Sequence, residues 1–420
     1  MEKPLDPRLR PTKALIHDAV DATTYLISEG HESTARLVVG ALSLVPSLRT
    51  PARAADGARR LITGGVLGSV RAVNRLVEVV SDVALDVSPL EAGPEPAVPM
   101  RSDALVSPVG AIDQLVGVVN GVVGDHLADV GNGLDLGMRL RYDDRWLQLG
   151  ESDGTVDAPG AGRRLVVLVH GLATTELSWS LDAEAALGDA GLNYGVMLQE
   201  ELGLTPLFLR YNTGLTVEEN GQRFAALLEA LVAAWPEPVE ELLLVGHSMG
   251  GLVIRAATHA GRAAGHRWVE QLSHIACLGS PHAGAPLARF GQVAADTLQW
   301  IEHPASRVIG RILSHRSDGV KDLRQRDLEA VGPLLSGVSY LFVAGALTDP
   351  DHPAASVLGD LLVPVESASG PDGSNVTVRR FGGIAHHRLQ AHPEVYRALA
   401  DALLAPARII LPGHVPRLLV

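Results

Sequence analysis

The chain divides into two parts by its pattern of apolar positions. Up to about residue 130, apolar residues recur at three- and four-residue steps, as from Val66 to Val80 and from Ile112 to Val123. This spacing puts apolar side chains on one face of a helix. A proline- and acid-rich segment near residues 89–100 lies between the two repeats and is typical of a linker. We therefore expect a helical N-terminal region over residues 1–130.

From residue 131 the pattern changes to short apolar runs that alternate with helical segments. Gly137–Tyr142 and Arg145–Leu149 alternate polar and apolar residues and predict a hairpin. Further strands are expected near residues 165, 206, 242, 275, 340 and 376. Because helical segments such as Asn220–Ala234 separate them, right-handed crossovers and a mostly parallel sheet should follow. The expected fold class is α/β over residues 131–405, with a C-terminal tail at 406–420.

The longest interval within this part, residues 288–337, predicts a lid insertion. It contains Gln299-Trp300-Ile301 and an amphipathic stretch, Val308–Leu313. A lid with an apolar inner face would exclude water from a site below it and hold an acyl chain. A plain surface excursion is the alternative interpretation.

The segment from Gly246 to Gly251 has the pattern of a nucleophile elbow. It follows the apolar run Leu242–Val245 and precedes a helix-like stretch, Leu252–Ala264. In such an elbow a serine lies on a strained turn between strand and helix, and small flanking residues make the turn possible. Ser248 is therefore the predicted nucleophile. An ordinary glycine-serine turn is the alternative, and the presence of downstream partners argues against it.

A serine nucleophile on this fold needs an acid and then a histidine further along the chain. Asp360 follows the predicted strand Tyr340–Ala344 and precedes an apolar pair and a Val-Pro stop, so it is the predicted acid. Aspartate is also common in turns and helix caps, and the alternative acids are Asp349, Asp351 and Glu366.

The predicted histidine loop contains two adjacent candidates. Gly382–Leu389 follows a strand-like segment and includes His386 and His387. Either imidazole could take the serine proton while an aspartate holds its tautomer. These residues alone leave the choice open.

Two backbone amides should stabilise the developing oxyanion. One comes from the residue after the nucleophile, Met249, and the other from the loop after an earlier strand. The apolar run Leu165–Val169 ends in His170-Gly171-Leu172, so the Leu172 amide is the second predicted donor. His170 and His247 are expected to be packing or hydrogen-bonding residues.

These motifs resemble bacterial lipases and esterases of the α/β-hydrolase superfamily, in particular triacylglycerol lipases and the PGAP-type deacylases that remove acyl groups from glycolipids. The resemblance covers most of residues 164–400. It extends to Thr205–Gly214, Glu219–Gly221, Gly279–Leu287 and Ala385–Tyr396.

The resemblance implies a function for individual residues. It assigns the triad to Ser248, Asp360 and His386 and the oxyanion hole to Leu172 and Met249. It favours His386 over His387 because Leu389, Pro393 and Val395 follow His386 at lipase-like intervals. The acid segment departs from the pattern, since Leu361 stands where many relatives have glycine.

Composition narrows the possible partners. With 420 residues, 46% hydrophobic and 20% charged, the chain is long enough for one large domain and an accessory region. A net charge of -13 and an aromatic content of 4% oppose nucleic-acid binding. The single cysteine, Cys277, lies in an apolar run and is expected to be a buried thiol.

We expect a cytoplasmic protein, since neither a signal peptide nor a transmembrane segment is evident. Residues 1–75 hold 11 basic and 7 acidic residues. Their amphipathic helices could contact an anionic membrane peripherally, although packing against the catalytic domain is the commoner arrangement. No cofactor or metal is expected. Only Asp349 and Asp351 stand out as ligands for a structural calcium.

The sequence thus predicts a serine hydrolase acting on carboxylic esters through an acyl-enzyme. The expected substrates are small-molecule esters or lipids, in particular acyl-lipids or medium-chain esters. Two alternatives are an acyltransferase that uses the same acyl-enzyme and a non-catalytic scaffold with a hydrolase fold.

Overall fold

A computed structural model describes residues 98–149, 156–285, 317–323, 331–349 and 359–404. Within these ranges the strands are β1 Met138–Tyr142, β2 Arg145–Trp146, β3 Arg164–Val169, β4 Thr205–Tyr211, β5 Glu241–His247, β6 Leu272–Leu278, β7 Ser339–Ala346 and β8 Val376–Gly382. The helices of the same ranges are α1 Ser102–Leu105, α2 Pro108–Asp129, α3 Ala183–Leu187, α4 Tyr194–Leu202, α5 Val217–Ala234, α6 Met249–Ala264, α7 Trp268–Gln271, α8 Asp318–Asp322, α9 Val365–Ala368 and α10 Pro393–Leu404. Short 3-10 turns span Glu176–Ser180 and His386–Gln390.

Several predicted features lie outside the described residues. They are the repeat at 66–80, most of the linker, the lid candidate at 288–316 and 324–330, and the tail from 406. The domain boundary near residue 130 and the lid therefore stay predictions.

The strands form one sheet in the order β2-β1-β4-β3-β5-β6-β7-β8. Strand β1 is antiparallel to β2 and β4, and every other pair is parallel. The predicted hairpin and parallel strands are present, so the expected fold class, a mostly parallel sheet flanked by helices, is confirmed. Val169 pairs with Leu209 in one direction and with Gly246 in the other. The loops that follow β3, β4 and β5 consequently meet at one edge.

Continuous apolar strands produce two cores. Leu165 and Val167 of β3 belong to the core that contains residues of α5 and α6, whereas Val166 and Leu168 belong to the core with residues of α4 and α10. Successive side chains of a strand point to opposite faces, so a strand covered on both faces must be apolar throughout.

Helix α2 contains the predicted apolar repeat Ile112–Val123 and packs on this same edge. Ser107 caps it by accepting a hydrogen bond from the Gly110 amide at 3.1 Å. Val118 and Val122 on this helix are buried. The helix belongs to one compact unit with the sheet. No helix in the described ranges has both the length and the apolar character to cross a membrane.

Candidate active site

Ser248 lies in a strained turn between β5 and α6. Its φ of 54° and ψ of -123° fall in a region that L-residues rarely adopt. Ser248 is also buried, with only 4% of its surface exposed. The flanking glycines explain how the turn closes. A Cβ at Gly246 would lie 2.5 Å from the Gly251 nitrogen, and one at Gly250 would collide with the Val169 carbonyl. The turn therefore has the geometry of the predicted elbow.

Asp360 and His386 meet beside this turn. The His386 Nδ1 lies 2.7 Å from Asp360 Oδ2, and the His386 amide donates to the Asp360 carbonyl at 3.1 Å. The other carboxylate oxygen, Oδ1, accepts hydrogen bonds from the amides of Leu362 and Val363 at 3.0 and 2.9 Å. Asp360 is fully buried. The amides of Leu362 and Val363 and the His386 Nδ1 are thus the hydrogen-bond partners of the carboxylate, and the contact with Oδ2 orients the imidazole.

The other candidate side chains are placed elsewhere. His387 is half-exposed, with its Nε2 3.8 Å from Asp182 Oδ2. Asp349 and Glu366 are exposed, and Asp351 lies outside the described residues. His386 and His387 are neighbours at the start of one 3-10 turn. Of the two, only His386 faces the buried Asp360.

The His386 ring also packs against the elbow through His247. The two ring centroids are 4.7 Å apart, and His247 Nε2 lies 3.0 Å from the His386 carbonyl oxygen. Burial and the nearby His386 hold the pKa of His247 well below its usual range, so His247 is neutral and donates this hydrogen bond. The His386 Nε2 is buried and has no hydrogen-bond partner among the described residues, which leaves it available to a serine proton.

The loop after β3 lies against Ser248. A Cβ at Gly171 would be 3.1 Å from the Ser248 Cβ. Ala173 has a φ of 59°, and its amide donates to Thr213 Oγ1 at 3.1 Å. No hydrogen bond joins the Leu172 amide to another described residue. The Met249 amide opens α6, where helix geometry leaves N-H groups without an intrahelical acceptor. Both predicted oxyanion donors are thus at this edge.

His170 anchors the start of that loop. The Tyr211 hydroxyl donates to the His170 carbonyl at 2.9 Å, and the two rings stack with centroids 4.5 Å apart. Burial lowers the pKa of His170 to about 4. The imidazole is therefore neutral, and His170 contributes packing and a hydrogen bond at the carboxyl edge of the sheet.

Four buried charged side chains form a cluster next to this loop. This cluster was not predicted from the sequence. Arg210 contacts Asp113 at 2.7 Å and Glu176 at 2.6 Å, and Arg141 contacts Glu176 at 3.2 Å. All four residues are 3% exposed or less. Burial alone would lower the pKa of Arg210, but the carboxylates of Glu176 and Asp113 outweigh it and raise that pKa. The available signal was the presence of arginine within strands, at Arg141 in the buried half of β1 and at Arg210 in the fully buried β4.

The described residues contain no cluster of histidine, cysteine or carboxylate side chains that could hold a metal ion. Cys277 is buried, and burial raises the pKa of its thiol to about 12. Neither observation adds a group to the serine, histidine and aspartate described above.

The solved structures to which the chain is similar include a lipase and two esterases. The chain shares 17% identity with the lipase BlEst2 of Bacillus licheniformis in its mature form, at a TM-score of 0.36, over 59% of this chain and 96% of that one. An esterase of Pyrococcus furiosus has 13% identity and a TM-score of 0.36, over 66% and 92%. Esterase B of Lactobacillus rhamnosis has 14% identity and a TM-score of 0.33, over 70% and 94%.

The order of the strands and the turn at Ser248 define the fold of the described residues. No curated protein matches the chain significantly. Residues 223–308 match the family described as PGAP1-like alpha/beta domain, a segment that includes the elbow. The resemblance to PGAP-type proteins of the α/β-hydrolase fold is thereby confirmed over this segment.

Proposed function

We propose that this protein is a serine hydrolase that cleaves carboxylic esters, with acyl-lipids or medium-chain esters as substrates. The observation that carries the proposal is the buried Asp360–His386 hydrogen bond of 2.7 Å beside the strained Ser248 turn. A serine in such a turn and an oriented imidazole with a free Nε2 are the parts that acyl transfer requires.

The proposed reaction has two stages. Ser248 Oγ attacks the ester carbonyl while His386 Nε2 takes the hydroxyl proton, and the same imidazolium then protonates the departing alcohol. Water attacks the acyl-enzyme in the second stage, with His386 again as base, and releases the carboxylic acid and free serine. The amides of Leu172 and Met249 bind the oxyanion of both tetrahedral intermediates.

Fluorophosphonate labelling of the purified protein tests the nucleophile. We expect labelling of the wild type and no labelling of Ser248→Ala or His386→Ala. His387→Ala is the matched control, because it removes the neighbouring, half-exposed imidazole, and it should label at the wild-type rate. A folded wild type that neither labels nor hydrolyses any ester would refute the proposal.

A series of p-nitrophenyl esters from acetate to palmitate tests the substrate class. A maximum of kcat/KM at medium or long chains would support acyl-lipid substrates, since each buried methylene contributes about 0.8 kcal/mol of binding. A maximum at acetate would contradict that part of the proposal and leave a short-chain esterase.

A further inference from the structure

Helix α2 precedes the sheet in the chain, yet one of its faces lies on the loop that carries the Leu172 amide. Asp113, Gly117 and Gly121 are spaced four residues apart and so share one face. The loop residues that they contact have decreasing residue numbers, so the helix and the loop run in opposite directions. Thr175 Oγ1 donates to Asp113 Oδ2 at 3.2 Å, and positions 117 and 121 pack on residues 174 and 173.

The contact at Gly121 is between backbones. A Cβ at position 121 would lie 2.6 Å from both Cα and Cβ of Ala173, and 2.9 Å from its nitrogen. Ala173 cannot easily yield, because it already holds a φ of 59° and its amide is bonded to Thr213. A side chain at position 121 must therefore displace either the helix or the loop.

The helix is held from its other sides at three points, which lie on both sides of a break in helical geometry at Val123 (φ -136°, ψ 21°). Ser317 Oγ donates to the Gly121 carbonyl at 2.7 Å, and Asn212 Nδ2 donates to the Gly124 carbonyl at 2.8 Å. Asp113 is paired with Arg210 at 2.7 Å in the buried charge cluster. With the helix held at these points and Ala173 unable to relax in place, we expect a side chain at position 121 to shift the loop as a whole.

We propose that α2 is a positioning element of the oxyanion hole, and that Gly121 and Gly117 are positioning residues that hold the Leu172 amide toward Ser248. The inference rests on the proposed function. The two oxyanion donors are held in place by different parts of the structure. The Met249 amide belongs to the elbow and α6, whereas the Leu172 amide lies in a loop against which α2 packs. The region before the sheet would thus set transition-state stabilisation without touching substrate.

Gly121→Ala is the direct test, measured as kcat and KM on a p-nitrophenyl ester and as the affinity for an alkylboronic acid, which forms a tetrahedral serine adduct. Loss of a whole oxyanion donor costs about 10²–10³ in kcat, so a displaced donor should cost about 10-fold to 100-fold. Since ground-state binding is unaffected, KM should stay within about threefold, and boronate affinity should fall with kcat.

Gly195→Ala is the matched control in a different helix, α4. A Cβ there would lie 2.6 Å from the Phe208 Cζ and 3.0 Å from the Pro206 Cβ, and these residues belong to β4 rather than to α2 or the oxyanion loop. We expect it to lower the melting temperature and to keep kcat within about twofold of wild type. The double variant Gly121→Ala/Ala173→Gly removes one of the clashing Cβ atoms and should recover part of kcat.

Wild-type kcat and boronate affinity in a folded Gly121→Ala protein would overturn the inference while leaving the hydrolase proposal intact. An equal loss of kcat in Gly195→Ala would also overturn it, because the effect would then be one of general stability. If Gly121→Ala does not fold, Gly117→Ala takes its place, since its Cβ would approach Thr174 and Thr175 only to 2.9 Å. A wild type without esterase activity or Ser248 labelling refutes the proposed function itself.

Discussion

Replacement of Asp360 by asparagine isolates the part of catalysis that depends on the histidine tautomer. The carboxylate accepts two backbone amides on Oδ1 and faces His386 Nδ1 with Oδ2. An asparagine should keep its carbonyl oxygen toward the two amides, which leaves its NH₂ group facing Nδ1. Nδ1 must then accept a hydrogen bond, and the imidazole proton moves to Nε2. That is the atom that has to receive the serine proton.

The expected loss follows from this geometry. An imidazole held in the wrong tautomer, with shape and packing otherwise kept, lowers kcat by about 10⁴-fold in serine hydrolases. At 1.36 kcal/mol for each factor of ten, this corresponds to about 5 kcal/mol of transition-state stabilisation. KM should change little, because the aspartate is buried behind the histidine and does not contact substrate.

The assay is steady-state hydrolysis of the best p-nitrophenyl ester at neutral pH, with melting temperature measured in parallel. Asp349→Asn is the matched control, since Asp349 is an exposed aspartate that follows the same strand. It should retain wild-type kcat. A folded Asp360→Asn protein within about tenfold of wild-type kcat would refute the assignment of Asp360 as the orienting acid.

Three further predictions concern the structure around the site. Burial lowers the pKa of His170 to about 4, whereas a histidine in the unfolded chain has a pKa of about 6.5. Between these pH values the unfolded chain binds a proton that the folded chain does not. The free energy of unfolding should therefore fall by up to about 3 kcal/mol as the pH drops from 6.5 to 4. His170→Gln should flatten this decline in urea unfolding, and an unchanged slope would contradict it. Asp113→Asn removes one of the carboxylates that face the buried Arg210 and should lower the free energy of unfolding by about 3–5 kcal/mol. Glu219→Gln breaks an exposed ion pair and should have little effect. Equal losses of stability in the two variants would contradict a stabilising role of the buried cluster. The Cys277 thiol, with its pKa raised by burial to about 12, should resist iodoacetamide at pH 8 in the folded protein and react fully in denaturant, so that labelling of the native state would argue against its burial.

Local signals explain which parts of the fold were predictable. The central strands β3 and β5 are largely continuous apolar runs, and their burial on both faces is a property of a few neighbouring residues, as in Leu165–Val169. The elbow at Ser248 was predictable because its small flanking residues are adjacent in sequence and are required by the turn itself. The helical repeat at Ile112–Val123 was equally visible, but the surface against which it packs was not.

Long-range contacts explain the rest. The sequence places two histidines side by side, and only the register of the turn after β8 decides which one reaches Asp360. Arg210 and Glu176 carry no motif, because their burial depends on partners from distant segments that neutralise each other.

The strands near residues 165, 206, 242, 275, 340 and 376, the helical repeat at Ile112–Val123 and the small residues at the elbow were evident from the sequence alone, since each arises from interactions between near neighbours along the chain. The tertiary structure decided which histidine faces the acid, how the four buried charges pair, and that α2 lies on the loop of the oxyanion hole. These depend on side chains and backbones that meet only after the sheet has formed, where burial makes each unpaired charge or misplaced methyl group costly.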